Sequence, residues 1–175
     1  MLRKATLLIL LVLSAPMTGW AMLDDMVPQG NGSAKYLGFI TVYRATLLTD
    51  AEIQEKSVLS ASTSRCLKLQ YEVSVRAEDF VLAADTVLAR QHSAVTLSRL
   101  KNDIERLHRA YTDVNAGDVY TMCYSALDQT TRLSLNGVEQ VAVPSAEFAS
   151  IYFGIWLGQE KPLDQRLRNN LLGSR

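Results

Sequence analysis

Apolar positions recur at helical spacing through VPSAEFASIYFGIWLG, residues 143–158, where Phe148, Ile151, Tyr152, Ile155 and Trp156 form one broad stripe. That spacing predicts a helix that has to be buried against something. Ser145, after Pro144, is placed to accept from the free N–H groups of the first turn, and Gly158 is placed to end the helix. Residues 66–75 (CLKLQYEVSV) alternate, with Leu67, Leu69, Tyr71, Val73 and Val75 on one side and Lys68, Gln70, Glu72 and Ser74 on the other. This predicts a strand with one buried and one wet face. Residues 37–48 (LGFITVYRATLL) are rich in aromatic and β-branched side chains and predict a second long strand. Two amphipathic helices are expected at 77–91, with Phe80, Ala83, Ala84, Val87 and Leu88 inward, and at 97–112, with Leu97, Leu100, Ile104, Leu107 and Tyr111 inward and Thr96 as its cap. A further strand is expected at 119–126. Asn136-Gly137 joins two more, at 132–135 and 138–143, in a tight hairpin. After Pro162, Leu163, Leu167, Leu171 and Leu172 mark a last helix closed by Gly173. Residues 22–36, with Pro28, Gly30, Gly32 and Ser33, read as a turn-rich lead-in, and residues 50–64 as a loop or short helical excursion. Strands around a helical pair, followed by helices, predict an α+β domain with an antiparallel sheet covered by helices.

The two ends of the chain change this picture only at the start. Arg3 and Lys4 precede an apolar run over residues 5–13, and Gly19-Trp20-Ala21 presents small residues where a signal peptidase reads. The expectation is a signal peptide over residues 1–21, cleaved after Ala21, and one domain over residues 22–175. The apolar run is about half of the roughly 20 residues that span a bilayer. Of 18 basic and 18 acidic residues in the 175, Arg3 and Lys4 leave with the signal peptide. The mature chain then carries a net charge of −2, with no basic footprint for nucleic acid or an anionic membrane. Export, expected into a periplasm, permits a disulfide between Cys66 and Cys123, the only cysteines; two separate buried thiols are the other reading.

Candidate chemistry is sparse. There is no GxSxG elbow, no glycine-rich phosphate loop and no paired-carboxylate motif. His92 and His108, the only histidines, have no partner at metal-ligand spacing and no evident nucleophile, so no metal site, cofactor or Ser/His/Asp catalysis is expected. Arg44, beside Tyr43, is either a solvent-facing strand residue or an anion anchor in a pocket.

The strand ending in Val42-Tyr43, the stretch GDVYTMCYSALDQTTRLSLNG (residues 117–137), and FASIYFGIWLG with the later LLG together resemble the chalcone isomerase fold, closest to its exported bacterial branch. The resemblance covers about residues 28–173. It implies an open-faced β-sandwich, a large antiparallel sheet with a layer of helices, and between them a cleft for a small aromatic or acyl ligand. In the plant enzymes of this family an Arg guides a phenolate onto an enone while Thr, Tyr and Asn groups hold the ketone and a water; in fatty-acid-binding relatives an Arg and a Tyr hold a carboxylate. Carried over residue by residue, the strand Thr falls on Gly38, the helix Tyr on Phe80, the Asn two turns later on Val87, and the late-helix Ser/Thr on Ala149. The Arg has no counterpart among residues 26–33; Lys35 and Arg44 are the nearest cations and neither matches. The donors are thus replaced by side chains that cannot hydrogen-bond. Loss of one oxyanion donor alone costs about 10²–10³ in rate.

The sequence therefore predicts no catalytic residues. It predicts an apolar cleft, with Tyr43, Arg44, Gly38, Phe80, Val87 and Ala149 as candidate ligand-binding positions. The leading expectation is an exported, non-catalytic protein that binds a small apolar or fatty-acid-like ligand or assists a protein partner. The alternatives are an enzyme of the same fold acting through Tyr43 and Arg44, and an interaction module with its cleft closed.

Overall fold

A computed structural model describes residues 25–52 and 54–173; the expected signal peptide lies outside the described residues. One sheet is built from β1 (Val27–Tyr36), β2 (Ile40–Thr49), β3 (Arg65–Tyr71), β4 (Val119–Ser125), β5 (Thr130–Leu135) and β6 (Val138–Pro144). The strands pair antiparallel in chain order, a six-stranded meander. Between β3 and β4 the chain leaves the sheet as α1 (Ala77–Gln91), α2 (Ala94–Arg99) and α3 (Lys101–His108); α4 (Ala146–Leu157) and α5 (Gln165–Leu171) follow β6.

The alternation read from residues 66–75 decides which face is covered. Register sets Tyr43 opposite Tyr71, Ala45 opposite Leu69, and Leu47 opposite Leu67, and all are buried. Tyr120, Met122, Tyr124 and Leu133 continue this face into β4 and β5. On the other face Arg44, Lys68 and Gln70 are exposed. The sheet is thus covered by helices on one side only, the open-faced α+β arrangement expected.

α4 occupies the centre of the helical layer. Ser145 caps it by accepting from the Phe148 N–H at 3.1 Å, as expected. The burial is wider than one stripe: Ala149, Phe153, Ile155 and Leu157 are buried with Phe148, Tyr152 and Trp156, while Ile151 is only half-buried. A helix apolar on almost all sides needs neighbours on almost all sides, and α1, α3, α5 and the sheet provide them. Phe153 packs with Tyr124 around the fully buried Arg65, whose guanidinium carbon lies 4.8 Å and 4.5 Å from the two ring centres. Arg65 donates to the Ser60 and Thr63 carbonyls at 2.9 and 3.0 Å, and burial pulls its pKa down to about 10.

Three expectations change. The turn-rich lead-in is the strand β1, because its glycines serve α5 rather than turns. A Cβ on Gly30 would lie 2.1 Å from the Asn170 carbonyl oxygen, and one on Gly32 would lie 2.8 Å from a Leu167 methyl. Glycine in a strand here marks close backbone approach. The helix expected over 97–112 is broken at Leu100 into α2 and α3, and its cap is Ser93, which accepts from the Thr96 N–H at 3.2 Å. The strand ends at Tyr71: beyond it the Glu72 N–H still reaches the Val42 carbonyl at 2.9 Å, and Val75 pairs only as an isolated bridge with Val114.

Cys66 and Cys123 stand directly opposite each other on β3 and β4 and form a disulfide. It lies on the outer sheet face, under Met26 and Leu48. It closes a loop 57 residues long, which chain entropy values at about 4 kcal/mol. Replacing both cysteines by Ala is expected to lower the stability of the domain by roughly 2–4 kcal/mol in equilibrium urea unfolding; an unchanged midpoint would contradict the assignment.

Candidate functional site: a tyrosine-lined cavity under the sheet

Where β2, β3 and β4 pass beneath α1 and α4, the inner face carries aromatic side chains instead of aliphatic ones. Tyr43, Tyr71 and Tyr120 come from the strands, Phe80 from α1, Tyr111 from the segment after α3, and Trp156 from α4. Their rings meet edge-on: Tyr43 with Tyr71 at 5.5 Å, Tyr71 with Phe80 at 5.5 Å, and Phe80 with Tyr120 at 5.7 Å between centres. Large rigid rings meeting edge to face fill space incompletely. A cavity of about 80 Å³ remains, floored by Leu69, Met122 and Leu133 and bordered by Ala83, Ala84, Ile155 and Leu163.

The hydroxyls around it are organised in pairs. Trp156 Nε1 donates to the Tyr43 hydroxyl at 2.9 Å. Tyr111 and Tyr152 share a hydrogen bond of 3.0 Å. The Tyr120 hydroxyl accepts from the Thr112 N–H at 2.9 Å and donates to its carbonyl at 3.2 Å. Among the described residues nothing hydrogen-bonds the Tyr71 hydroxyl, leaving it as the polar group free to meet a guest. Burial raises the pKa values of Tyr43, Tyr71, Tyr111 and Tyr152. At neutral pH these phenols are hydrogen-bond donors and not bases. Among the described residues no charged side chain lines the cavity.

A larger groove of about 720 Å³ runs between α1 and the α2–α3 pair, over Val81, Leu88, Leu97 and Ile104. It is open; Glu105 lies 3.6 Å from Lys101 and 3.7 Å from Arg109, and His108, whose pKa burial lowers, has an Nε2 without a hydrogen-bond partner among the described residues. A ligand site encloses its guest among apolar walls with a few convergent polar groups; the groove lies open between helices while the smaller cavity is walled by strands and helices together, so the smaller cavity is the candidate.

Of the residues singled out from the sequence, Tyr43 and Phe80 line the cavity. Arg44 does not reach it. Strand alternation points Arg44 away from its neighbour Tyr43, to the outer face, where its side chain is 66% exposed and paired with Glu72 at 2.7 Å. Gly38 sits at the tip of the β1–β2 hairpin with φ +78° and no neighbour. Val87 and Ala149 are buried in the helical core without lining the cavity. Tyr71, Tyr111, Tyr120 and Trp156 were not singled out as site residues. For Tyr71 the signal was present, since it shares the apolar face of residues 66–75 and register sets it opposite Tyr43.

The tyrosines set a pH limit on the fold. In the unfolded chain a tyrosine ionises near pH 10; in the folded chain Tyr43, Tyr71, Tyr111 and Tyr152 hold their protons to higher pH. Their contribution is complete below pH ~10 and is lost as pH rises beyond it, by about 1.4 kcal/mol per pH unit for each such group. Ultraviolet titration followed alongside circular dichroism is expected to show these phenols ionising together with unfolding; stepwise ionisation of an intact fold would contradict their burial.

Comparison with known proteins agrees with this architecture. The crystal structure of a fatty-acid binding protein from Arabidopsis thaliana is similar with a TM-score of 0.65 at 14% identity, over 85% of this chain and 87% of that one. No curated protein matches. A family model described as chalcone isomerase-like matches residues 24–173, which is almost all of the described structure, and the chain belongs to that family.

Proposed function

We propose that this chain is an exported, non-catalytic chalcone isomerase-like protein that holds a small apolar ligand of the fatty-acid class in the tyrosine-lined cavity. The observation that carries the reading is the composition of the cavity wall: aromatic and aliphatic throughout, without a charge, and with the Tyr71 hydroxyl unspent. Such a wall suits a hydrocarbon chain whose head is a protonated acid, an ester or another uncharged acceptor. A carboxylate would lose its hydration with no cation to replace it. The fatty acid named for the similar Arabidopsis structure supports the ligand class. A wall of phenols with raised pKa values and no guanidinium supports the absence of an isomerase step. Export is supported by the pattern at residues 3–21 and by the Cys66–Cys123 disulfide, a bond at home in an oxidising compartment.

The volume sets a condition. About 80 Å³ holds roughly three water-sized groups, whereas ligand pockets run to about 300 Å³ and more. An acyl chain enters only if Phe80, Ala83 and Ala84 on α1 draw back from the sheet. The C-terminal end of α1 is pinned: Arg90 Nε donates to the Lys161 carbonyl at 3.0 Å, and Gln91 Nε2 to the Gly154 carbonyl at 2.9 Å. The N-terminal end is held as well, by the Ala77 N–H donating to Asp113 Oδ1 at 2.8 Å and by the Val75–Val114 bridge, so the part that moves is the stretch from Phe80 to Ala84 between these ties. The same small volume favours a second reading, an interaction module whose cleft stays shut.

Native mass spectrometry with solvent extraction, on protein purified from a periplasm and then offered methyl decanoate, separates the two readings. One apolar molecule per chain is expected, with affinity reduced at least ~10-fold by Ala83→Trp, which plugs the cavity from its exposed side, and by a smaller factor in Tyr71→Phe, the cost of one neutral hydrogen bond. A chain that is empty as purified and takes up nothing would overturn ligand binding in favour of the closed module.

A further inference from the structure

Both tight hairpins of the sheet turn through two residues with positive φ, and they do so with opposite chemistry. Asn136 and Gly137 join β5 to β6 at φ 48° and 83°; Leu37 and Gly38 join β1 to β2 at φ 52° and 78°. Asn-Gly is the pair such a turn favours, because an Asn side chain tolerates the left-handed region and leucine does not. The β1–β2 turn therefore sets an apolar residue where the backbone disfavours it. The flanking residues follow suit: Tyr36 is 62%, Leu37 68% and Phe39 72% exposed, and Ile40 joins them at 39%. At the apex a Cβ on Gly38 would have no atom within 4 Å, so the turn stands clear of the body.

We propose that this hairpin tip is a membrane-docking element that inserts Leu37 and Phe39 into the interfacial region of a lipid bilayer. Three features select a bilayer over a protein. The exposed apolar surface is roughly 400–500 Å², counting aromatic side chains at 150–250 Å² each, against about 800 Å² per partner in a stable protein interface. It is convex and narrow, a shape that enters a soft medium and not a rigid groove. Its order is that of an interfacial anchor: apolar residues at the apex, Tyr36 behind them, and Lys35 one residue further back with a stem long enough to keep its ammonium in water. Around it Arg44 is paired with Glu72, so apolar burial drives docking and anionic headgroups are not required. Docking does not depend on the ligand reading, but β2 runs from the tip directly to Tyr43 on the cavity wall.

The test uses vesicles of pure phosphatidylcholine and the probe Phe39→Trp, with Leu127→Trp as the control. Leu127 is 94% exposed in the β4–β5 turn, at the opposite end of the sheet. Emission of Phe39→Trp, taken as the difference from the parent protein, is expected to shift to the blue and to be quenched by brominated lipid, equally at low and high salt, while Leu127→Trp does neither. Leu37→Asn combined with Phe39→Ser is expected to lower vesicle partitioning at least ~10-fold. Leu37→Asn alone should leave thermal stability equal or higher, since it restores the favoured turn residue. The proposal is overturned if Phe39→Trp does not respond to vesicles, if Leu127→Trp responds equally, or if the tip variant instead abolishes a concentration-dependent dimer in sedimentation without lipid.

Discussion

A buried hydrogen bond between Trp156 and Tyr43, residues 113 positions apart in the chain, joins the helical layer to the sheet at the cavity. The indole N–H cannot be left unpaired away from water, at a cost of about 1–3 kcal/mol, and the Tyr43 hydroxyl is the acceptor β2 offers. Satisfying that donor fixes the height and rotation of α4 over the strands. The rest follows from this seat: Phe153 closes over Arg65, Tyr152 finds Tyr111, and the carbonyl of Leu157 receives Arg168 Nε at 3.1 Å. Through Arg168, whose Nη2 also reaches Glu55 at 2.5 Å, α5 is held against the end of α4. Gly30 and Gly32 then let α5 lie on the β1 backbone.

The cavity is a consequence of the same constraint. Aliphatic side chains under α4 would interdigitate and leave no gap. The aromatic set stands off instead, because its rings meet edge to face and its hydroxyls must reach partners at the rim. What remains is apolar and lined by α1 and α4 above the strands. On the proposed reading, a site of this kind discriminates by hydrophobic fit and a single hydrogen bond.

The elements with strong periodicity were legible in the sequence. Residues 66–71, the Asn136-Gly137 hairpin and the helix over 143–158 each carried local signals that the tertiary structure reinforces. β1 was not legible, since Gly30 and Gly32 read as turn residues unless the docking of α5, some 140 residues later, is known. The break at Leu100 was hidden for a similar reason: the apolar stripe continues across it while the helix axis changes. Among the candidate positions named from the family resemblance, Tyr43 and Phe80 line the cavity. Of the two readings of Arg44, the structure agrees with the solvent-facing one, because strand alternation sends it and Tyr43 to opposite faces. The tyrosine cluster escaped because its members lie on four different elements, and only the register of β2, β3 and β4 brings them together.

The account rests on α1 opening over a cavity that α4 holds in place. Amide hydrogen exchange, measured with and without methyl decanoate, tests this most directly. The account predicts that exchange changes in the first half of α1, around Phe80 to Ala84, and that α4 from Phe148 to Leu157 stays protected in both states. Unchanged exchange in α1 with ligand bound, or a change centred on the outer sheet face around Arg44 and Lys68, would contradict it.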